Sequence, residues 1–234
     1  MAKVPAEPYA FPLAGELSPA STALLVIDMQ VDFCGSGGYM DRMGFDLDFL
    51  RGPVALIRKV MEAFRRHGFP IVHTRETFAA DLSDVQPHRL WRPPGGIAVG
   101  DPGPLGRCLI AGEPCWELIP ELSPLAGEPV FDKAGYGAFA RTGLERHLRA
   151  AGIGNLVIVG LTTDCCVSTS LREALDRGFD CLTLADCCAA STRATHEAAL
   201  TVLRKASGIF GAMANSTAVL DCLANTHEGQ TIHA

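Results

Sequence analysis

Short apolar runs recur along the chain, bounded by turn residues and separated by stretches of helical periodicity. TALLVID (22–28), FPIVHTR (69–75), EPVFDK (128–133), NLVIVG (155–160) and DCLTLAD (180–186) read as strands, and a last short strand falls within IFGAMANS (209–216). Segments 53–68, 142–152, 167–177 and 191–206 read as helices, and a terminal helix follows the last strand. The strands are nearly all apolar and alternate with helices. The expected fold class is therefore α/β: a single Rossmann-like domain, a parallel sheet with helices on both faces. A Pro/Gly-rich excursion from about 77 to 126 interrupts the alternation, and there is no internal repeat or low-complexity tract. The expected organisation is an N-terminal arm (1–20), extended by its prolines along a surface, one domain (21–225) and a short tail (226–234).

In such folds ligands bind beyond the carboxyl ends of the strands, near a switch in strand order. Asp28 ends the first strand, Lys133 ends the third, and Cys166 lies at the seam between the fourth strand and the helix after it. A carboxylate, an ammonium and a thiol thus come to one edge of the sheet from three separate strands. A thiol that opens a helix meets the positive end of the dipole and unpaired backbone N–H groups, an environment expected to lower its pKa and to hold an anion. Phe33 follows the first strand and either walls the pocket or packs the core. Arg75 and Glu76 end the second strand near the same edge, where an internal ion pair is the simplest reading. Trp91 and Arg92, in the excursion, either reach a neighbouring subunit's site or pack the loop.

Composition narrows the function. The 234 residues are 48% hydrophobic and 7% aromatic, with a net charge of −6. Charges of both signs are interspersed without a basic stripe, which argues against nucleic acid as a partner. No apolar run approaches a membrane span, and the N-terminus lacks a signal-peptide layout. Nine cysteines without a secretion signal read as mostly buried thiols in a reducing, cytoplasmic setting. Cys165–Cys166 and Cys187–Cys188 are adjacent, a poor spacing for zinc. His73 and His88 form no ligand cluster, His73 reads as a structural strand residue, and His67, His147 and His196 read as solvated helix-face residues. Neither a metal nor a cofactor is expected.

ALLVIDMQVDF, VFDKAGYGAF and IVGLTTDCCVSTSLREALDRGF resemble the motifs of the isochorismatase-like cysteine hydrolases, over residues 8 to 224. FCGSGGYMDRMGFDL, HTRE, LWRPPGGIAVGDPGPLGR and GEPCWELIPEL look closest to the biuret and triuret hydrolases of that superfamily. The resemblance implies an isochorismatase-like fold and a catalytic triad of Asp28, Lys133 and Cys166. Cys166 rather than Cys165 matches the nucleophile, being the second residue after Asp164. The resemblance also implies an oxyanion hole from the backbone N–H groups of Thr162 and Cys166, a cis peptide at Leu161–Thr162, and a homo-oligomer, a tetramer, in contact around 91–115.

The implied activity is that of a cysteine amidohydrolase cleaving a small ureido compound through a thioester and releasing ammonia in nitrogen metabolism. Two positions bear on the substrate. The second lysine of a Lys–Pro–Gly–Lys–Gly run is Tyr136 here, and a substrate-binding glutamine aligns with Ala206, or with Lys205 or Ser207 if the alignment slips by one. Losing a bidentate amide leaves room, which favours triuret over biuret unless another residue fills the gap. The alternative is another carbamoyl compound, such as ureidoacrylate or N-carbamoylsarcosine. A reading from a different class is a catalytically silent or redox-sensing protein using Cys165–Cys166 or Cys187–Cys188. Nicotinamidase, which uses an Asp/His metal cluster, and isochorismatase itself, which lacks the cysteine, are disfavoured.

Overall fold

The computed structural model describes residues 2–92, 94–204 and 208–228. Its strands are β1 (Thr22–Ile27), β2 (Ile71–Glu76), β3 (Pro102–Gly103), β4 (Gly106–Arg107), β5 (Val130–Lys133), β6 (Asn155–Leu161), β7 (Asp180–Ala189) and β8 (Ala212–Ala214). Six of them form one sheet in the order β5-β2-β1-β6-β7-β8, with every neighbouring pair parallel. β3 and β4 form a separate antiparallel ribbon in the excursion. The helices are α1 (Val31–Cys34), α2 (Tyr39–Arg42), α3 (Leu47–Arg51), α4 (Val54–Arg66), α5 (Leu144–Ala150), α6 (Ser168–Asp176), α7 (Arg193–Leu203) and α8 (Ser216–Glu228). The chain runs outward from β1 to β2 and β5, then returns to place β6 on the other side of β1. The strand order therefore reverses between β1 and β6, and the crevice of the fold opens at their carboxyl ends.

β1 is buried along its whole length, as a strand covered on both faces must be. Alternation sends Leu24 and Val26 into one core and Leu25 and Ile27 into the other. On the first side lies α4, whose buried Val54, Ile57, Val60, Met61 and Phe64 repeat at helical spacing. On the second lie Leu144 and Leu148 of α5 and Leu171 of α6.

Several elements differ from expectation. Segment 29–52, which carries no clear period, folds into the short helices α1 to α3. β7 continues through Cys187 and Cys188, because a register shift near Gly160 pairs Gly160 with Cys188 and Leu161 with Ala189. α7 stops at Leu203, and α8 runs on past residue 226. The N-terminal arm does more than lie on a surface. It bridges Val4 to Phe11 and Glu7 to Met213, buries Val4 and Phe11 completely, and sends the Tyr9 hydroxyl to Asp180 at 2.8 Å. Apolar residues between its prolines account for this.

Gly160 lets β6 approach β1. Its φ is +122°, and a Cβ there would sit 2.1 Å from the Ile27 carbonyl oxygen. Gly160→Ala is expected to cost roughly 2–4 kcal/mol from strain and overpacking together. Urea denaturation should show a lowered midpoint with an unchanged slope.

Candidate active site

Asp28 follows the last residue of β1 with φ +50°, a left-handed conformation that Asp tolerates better than most residues and that is common at functional sites. Its carboxylate is fully buried. Oδ1 accepts a hydrogen bond from the Thr74 hydroxyl at 2.6 Å, and Oδ2 lies 2.7 Å from Lys133 Nζ. Lys133, at the end of β5, also donates to the Gly135 carbonyl at 2.8 Å. Burial opposes its charge, yet Asp28 and Cys166 outweigh burial and hold its pKa above the ordinary lysine value. Cys166 completes the group: one ligand atom each from Asp28, Glu76 and Cys166 lies within 4.8 Å of the others. The structure thus brings together the three side chains singled out in the sequence.

The thiol environment departs from expectation. Cys166 sits in a π-helical turn, Thr163–Val167, with α6 beginning only at Ser168. A hydrogen bond with Cys165 and complete burial push its pKa well above the ordinary thiol value, and Asp28 adds to this while Lys133 pulls the other way. The helix terminus does not win, because a desolvated thiol beside a carboxylate is better off protonated. These influences favour the protonated form of the Cys166 thiol. Iodoacetamide labelling followed by peptide mapping should find Cys166 slow to react near about pH 7, with a rate still rising beyond about pH 9. A rate that levels off below neutrality would show a resting thiolate.

A cavity of about 260 Å³ opens onto Cys166 and Thr162, with Phe33 and Tyr136 in its walls. That volume suits a compact ligand. Phe33 is nearly buried, whereas Tyr136 is 40% exposed at the rim and Trp91 74% exposed beside it. Ala206, Lys205 and Ser207 lie outside the described residues. The Leu161–Thr162 peptide is cis, and the Thr162 carbonyl accepts from the N–H groups of Cys165 and Val167. The loop after β5 that carries Tyr136 is clamped to α6: Glu173 accepts from the Phe139 N–H at 2.8 Å and Ser170 from the Ala138 N–H at 3.0 Å.

Other residues singled out in the sequence find partners within the chain. Arg75 pairs with Asp132 and Glu117 and stacks on Trp116 at 3.6 Å, while Glu76 turns inward to Arg89. Arg92 pairs with Asp101 at 3.2 Å. His73 is buried beside Glu128 at 3.3 Å, and burial holds its pKa below the usual imidazole value. His196 is not simply solvated. It is partly buried, and its Nδ1 lies 2.8 Å from the Thr163 hydroxyl in the π turn. Asp28, Glu76 and Cys166 offer metal-ligand atoms, but the Lys133 ammonium already balances Asp28 in that cluster.

Three residues escaped the sequence reading. Buried Gln30 grips the end of β2, accepting from the Glu76 N–H at 2.7 Å and donating to the Glu76 and Trp116 carbonyls. Buried Asp32 accepts from the N–H groups of Leu109 and Tyr39 and ties down the excursion. Arg89 enters from the excursion. Polar residues at the carboxyl end of an apolar strand were a signal for Gln30 and Asp32; Arg89 had none.

An isochorismatase-domain family model matches residues 22–215. The chain is similar to the ureidoacrylate amidohydrolase RutB of Agrobacterium fabrum, 33% identical over 68% of this chain and 71% of that protein. In structure it resembles an isochorismatase family protein from Desulfovibrio vulgaris, with a TM-score of 0.72 and 27% identity over 87% of this chain and 98% of the other. It also resembles an N-carbamoylsarcosine amidase from Thermoplasma acidophilum, with a TM-score of 0.62 and 27% identity over 84% and 96%.

Proposed function

Because the chain belongs to the isochorismatase family and is a cysteine hydrolase of that family acting on amides, we propose that it cleaves a C–N bond of a small ureido compound, with Cys166 as nucleophile. The observation that carries this reading is the buried Asp28–Lys133 pair, 2.7 Å apart, beside a buried thiol that faces a small cavity. In the proposed reaction Asp28 takes the thiol proton as Sγ attacks the carbonyl carbon. Lys133 pairs with Asp28 at 2.7 Å and offsets the charge that develops on sulfur. The backbone N–H groups of Thr162 and Cys166 hold the oxyanion, each such donor contributing about 10²–10³ in rate. Asp28 then gives its proton to the leaving nitrogen, which is too basic to depart as an anion. A water, deprotonated by Asp28, cleaves the thioester, and the bound carboxylate product departs. No cofactor enters these steps.

The relative's ureidoacrylate activity supports the ureidoacrylate alternative over the triuret and biuret reading, which rests on Ala206. The redox reading loses ground for Cys187–Cys188: burial raises both thiols, Cys188 to about 12, and neither lines the cavity that opens onto Cys166. All nine cysteines are free, in keeping with the proposed cytoplasmic location. No helix among the described residues is long and apolar enough to cross a membrane.

A homotetramer is part of the same proposal. Cys108, Leu109, Ile110 and Cys115 of the excursion are buried in their own chain, whereas Leu90 and Trp91 are exposed and available to a neighbour. Sedimentation showing a fully active monomer would contradict the tetramer. The activity itself is tested by product analysis with ureidoacrylate, N-carbamoylsarcosine, biuret, triuret and nicotinamide. Turnover of a ureido compound and not of nicotinamide is expected; no turnover of any ureido compound would refute it. Cys165→Ala should keep substantial activity, and its complete inactivation would move the nucleophile by one residue.

A further inference from the structure

The proposed reaction leaves one charged pair at the cavity without a task. Glu76 ends β2, is 2% exposed, and places Oε2 3.7 Å from Cys166 Sγ. It is opposite Lys133 in the β2–β5 register, so both side chains leave the sheet on the same face. Gln30 holds its backbone through both the N–H and the carbonyl. Its carboxylate pairs with Arg89, whose guanidinium lies over the Tyr136 ring at 4.2 Å. Both members of the pair line the cavity. A buried ion pair is a weak source of stability, since apolar residues of the same volume serve as well. A pair held this firmly against the nucleophile calls for a role in the site.

Substrate geometry supplies that role. An attackable carbonyl carbon comes within about 3–3.5 Å of Sγ, and it carries three other groups. Its oxygen belongs to the oxyanion site and its leaving nitrogen to Asp28. The third substituent is left to the side of Sγ where Glu76 stands. A carboxylate there only accepts hydrogen bonds, so it favours N–H and penalises C–H. A ureido carbonyl has nitrogen on both sides; a carboxamide carbonyl has nitrogen on one side and carbon on the other. We infer that Glu76, held by Arg89 and Gln30, is the specificity residue that selects ureido carbonyls over carboxamides by accepting a hydrogen bond from the nitrogen that stays. The inference rests on the amidohydrolase reading above. Arg89 acts through Glu76, as a positioning residue.

The test compares kcat/KM within two isosteric pairs: biuret against malonamide, and ureidoacrylate against its N-acetyl analogue. Each pair exchanges one carbonyl nitrogen for carbon and keeps a possible leaving nitrogen. One charge-assisted hydrogen bond corresponds to a preference of about 10–150-fold for the ureido member in the wild type. In Glu76→Gln that ratio should fall about tenfold, because a neutral amide is the weaker acceptor. The double variant Glu76→Met with Arg89→Met removes both charges without stranding either, and should bring the ratio near unity. A wild type that turns over both members alike, or a ratio unchanged in both folded variants, overturns the inference and leaves the amidohydrolase reading standing. A wild type that turns over neither pair, and neither triuret nor N-carbamoylsarcosine, sinks both.

Discussion

Cys166→Ala is expected to lower kcat/KM by about 10⁴-fold or more while the protein still folds. A nucleophile that forms a covalent intermediate cannot be replaced by the rest of its site. What remains after its removal is the small catalysis that binding and oxyanion donors supply. The fold survives because the change is small in volume. Cys166 is a buried residue in the core that contains Val167 and Leu171, so losing its sulfur costs no more than a small cavity. Steady-state kinetics together with circular dichroism separate the two effects. A folded Cys166→Ala variant with more than a few per cent of wild-type activity is incompatible with the proposed chemistry.

Asp28→Asn should be nearly as damaging to rate and more damaging to stability. Asparagine cannot take the thiol proton or return it to the leaving nitrogen, and losing a positioned acid–base group costs about 10²–10⁴-fold. The substitution also strands the Lys133 ammonium, which is 1% exposed and has its carboxylate partner in Asp28 at 2.7 Å. Breaking one side of a buried pair typically costs about 3–5 kcal/mol.

The pH dependence should reverse. In the wild type the folded pKa of Lys133 is raised above its ordinary 10.5. The folded state then binds more protons than the unfolded one between those values. Its contribution is complete below 10.5 and is lost as pH rises through the folded value. Without Asp28, burial, the largest influence on Lys133, is opposed by Cys166 alone, and the folded pKa is expected to fall below the unfolded one. The variant should therefore gain stability as pH rises toward that value. Urea midpoints measured from neutral to alkaline pH check the sign, and parallel curves for the two proteins would contradict the paired-charge account.

The triad positions were legible because each ends a strand whose apolar run breaks off sharply. TALLVI stops at Asp28, the short VF pair gives way to Asp132 and Lys133, and NLVIVGL leads into the turn of Cys166. Topology does the rest: a parallel sheet that reverses between β1 and β6 must bring those ends together. The thiol's protonation was not legible. Local sequence shows a helix terminus beside Cys166, but not that the turn aims the Cys165 side chain at its thiol, nor that the core buries it and Asp28 arrives from another strand. Arg89 was illegible for a related reason. It comes from an excursion without hydrophobic period, held in place by Asp32 and by ion pairs such as Arg92–Asp101, and nothing near it in sequence says that it meets Glu76. Asp32 and Gln30 stood in plain view after β1, but a buried polar residue shows its purpose only through its partners.

The central claim is a covalent intermediate on Cys166. The direct measurement is acid quenching of the enzyme during turnover of ureidoacrylate, followed by peptide mapping by mass spectrometry. The account predicts an acyl fragment of the substrate on the peptide containing Cys165 and Cys166, with fragmentation placing it on Cys166 and its loss in Cys166→Ser. An acyl fragment on Cys165, or steady turnover by a Cys166→Ser enzyme, would contradict it.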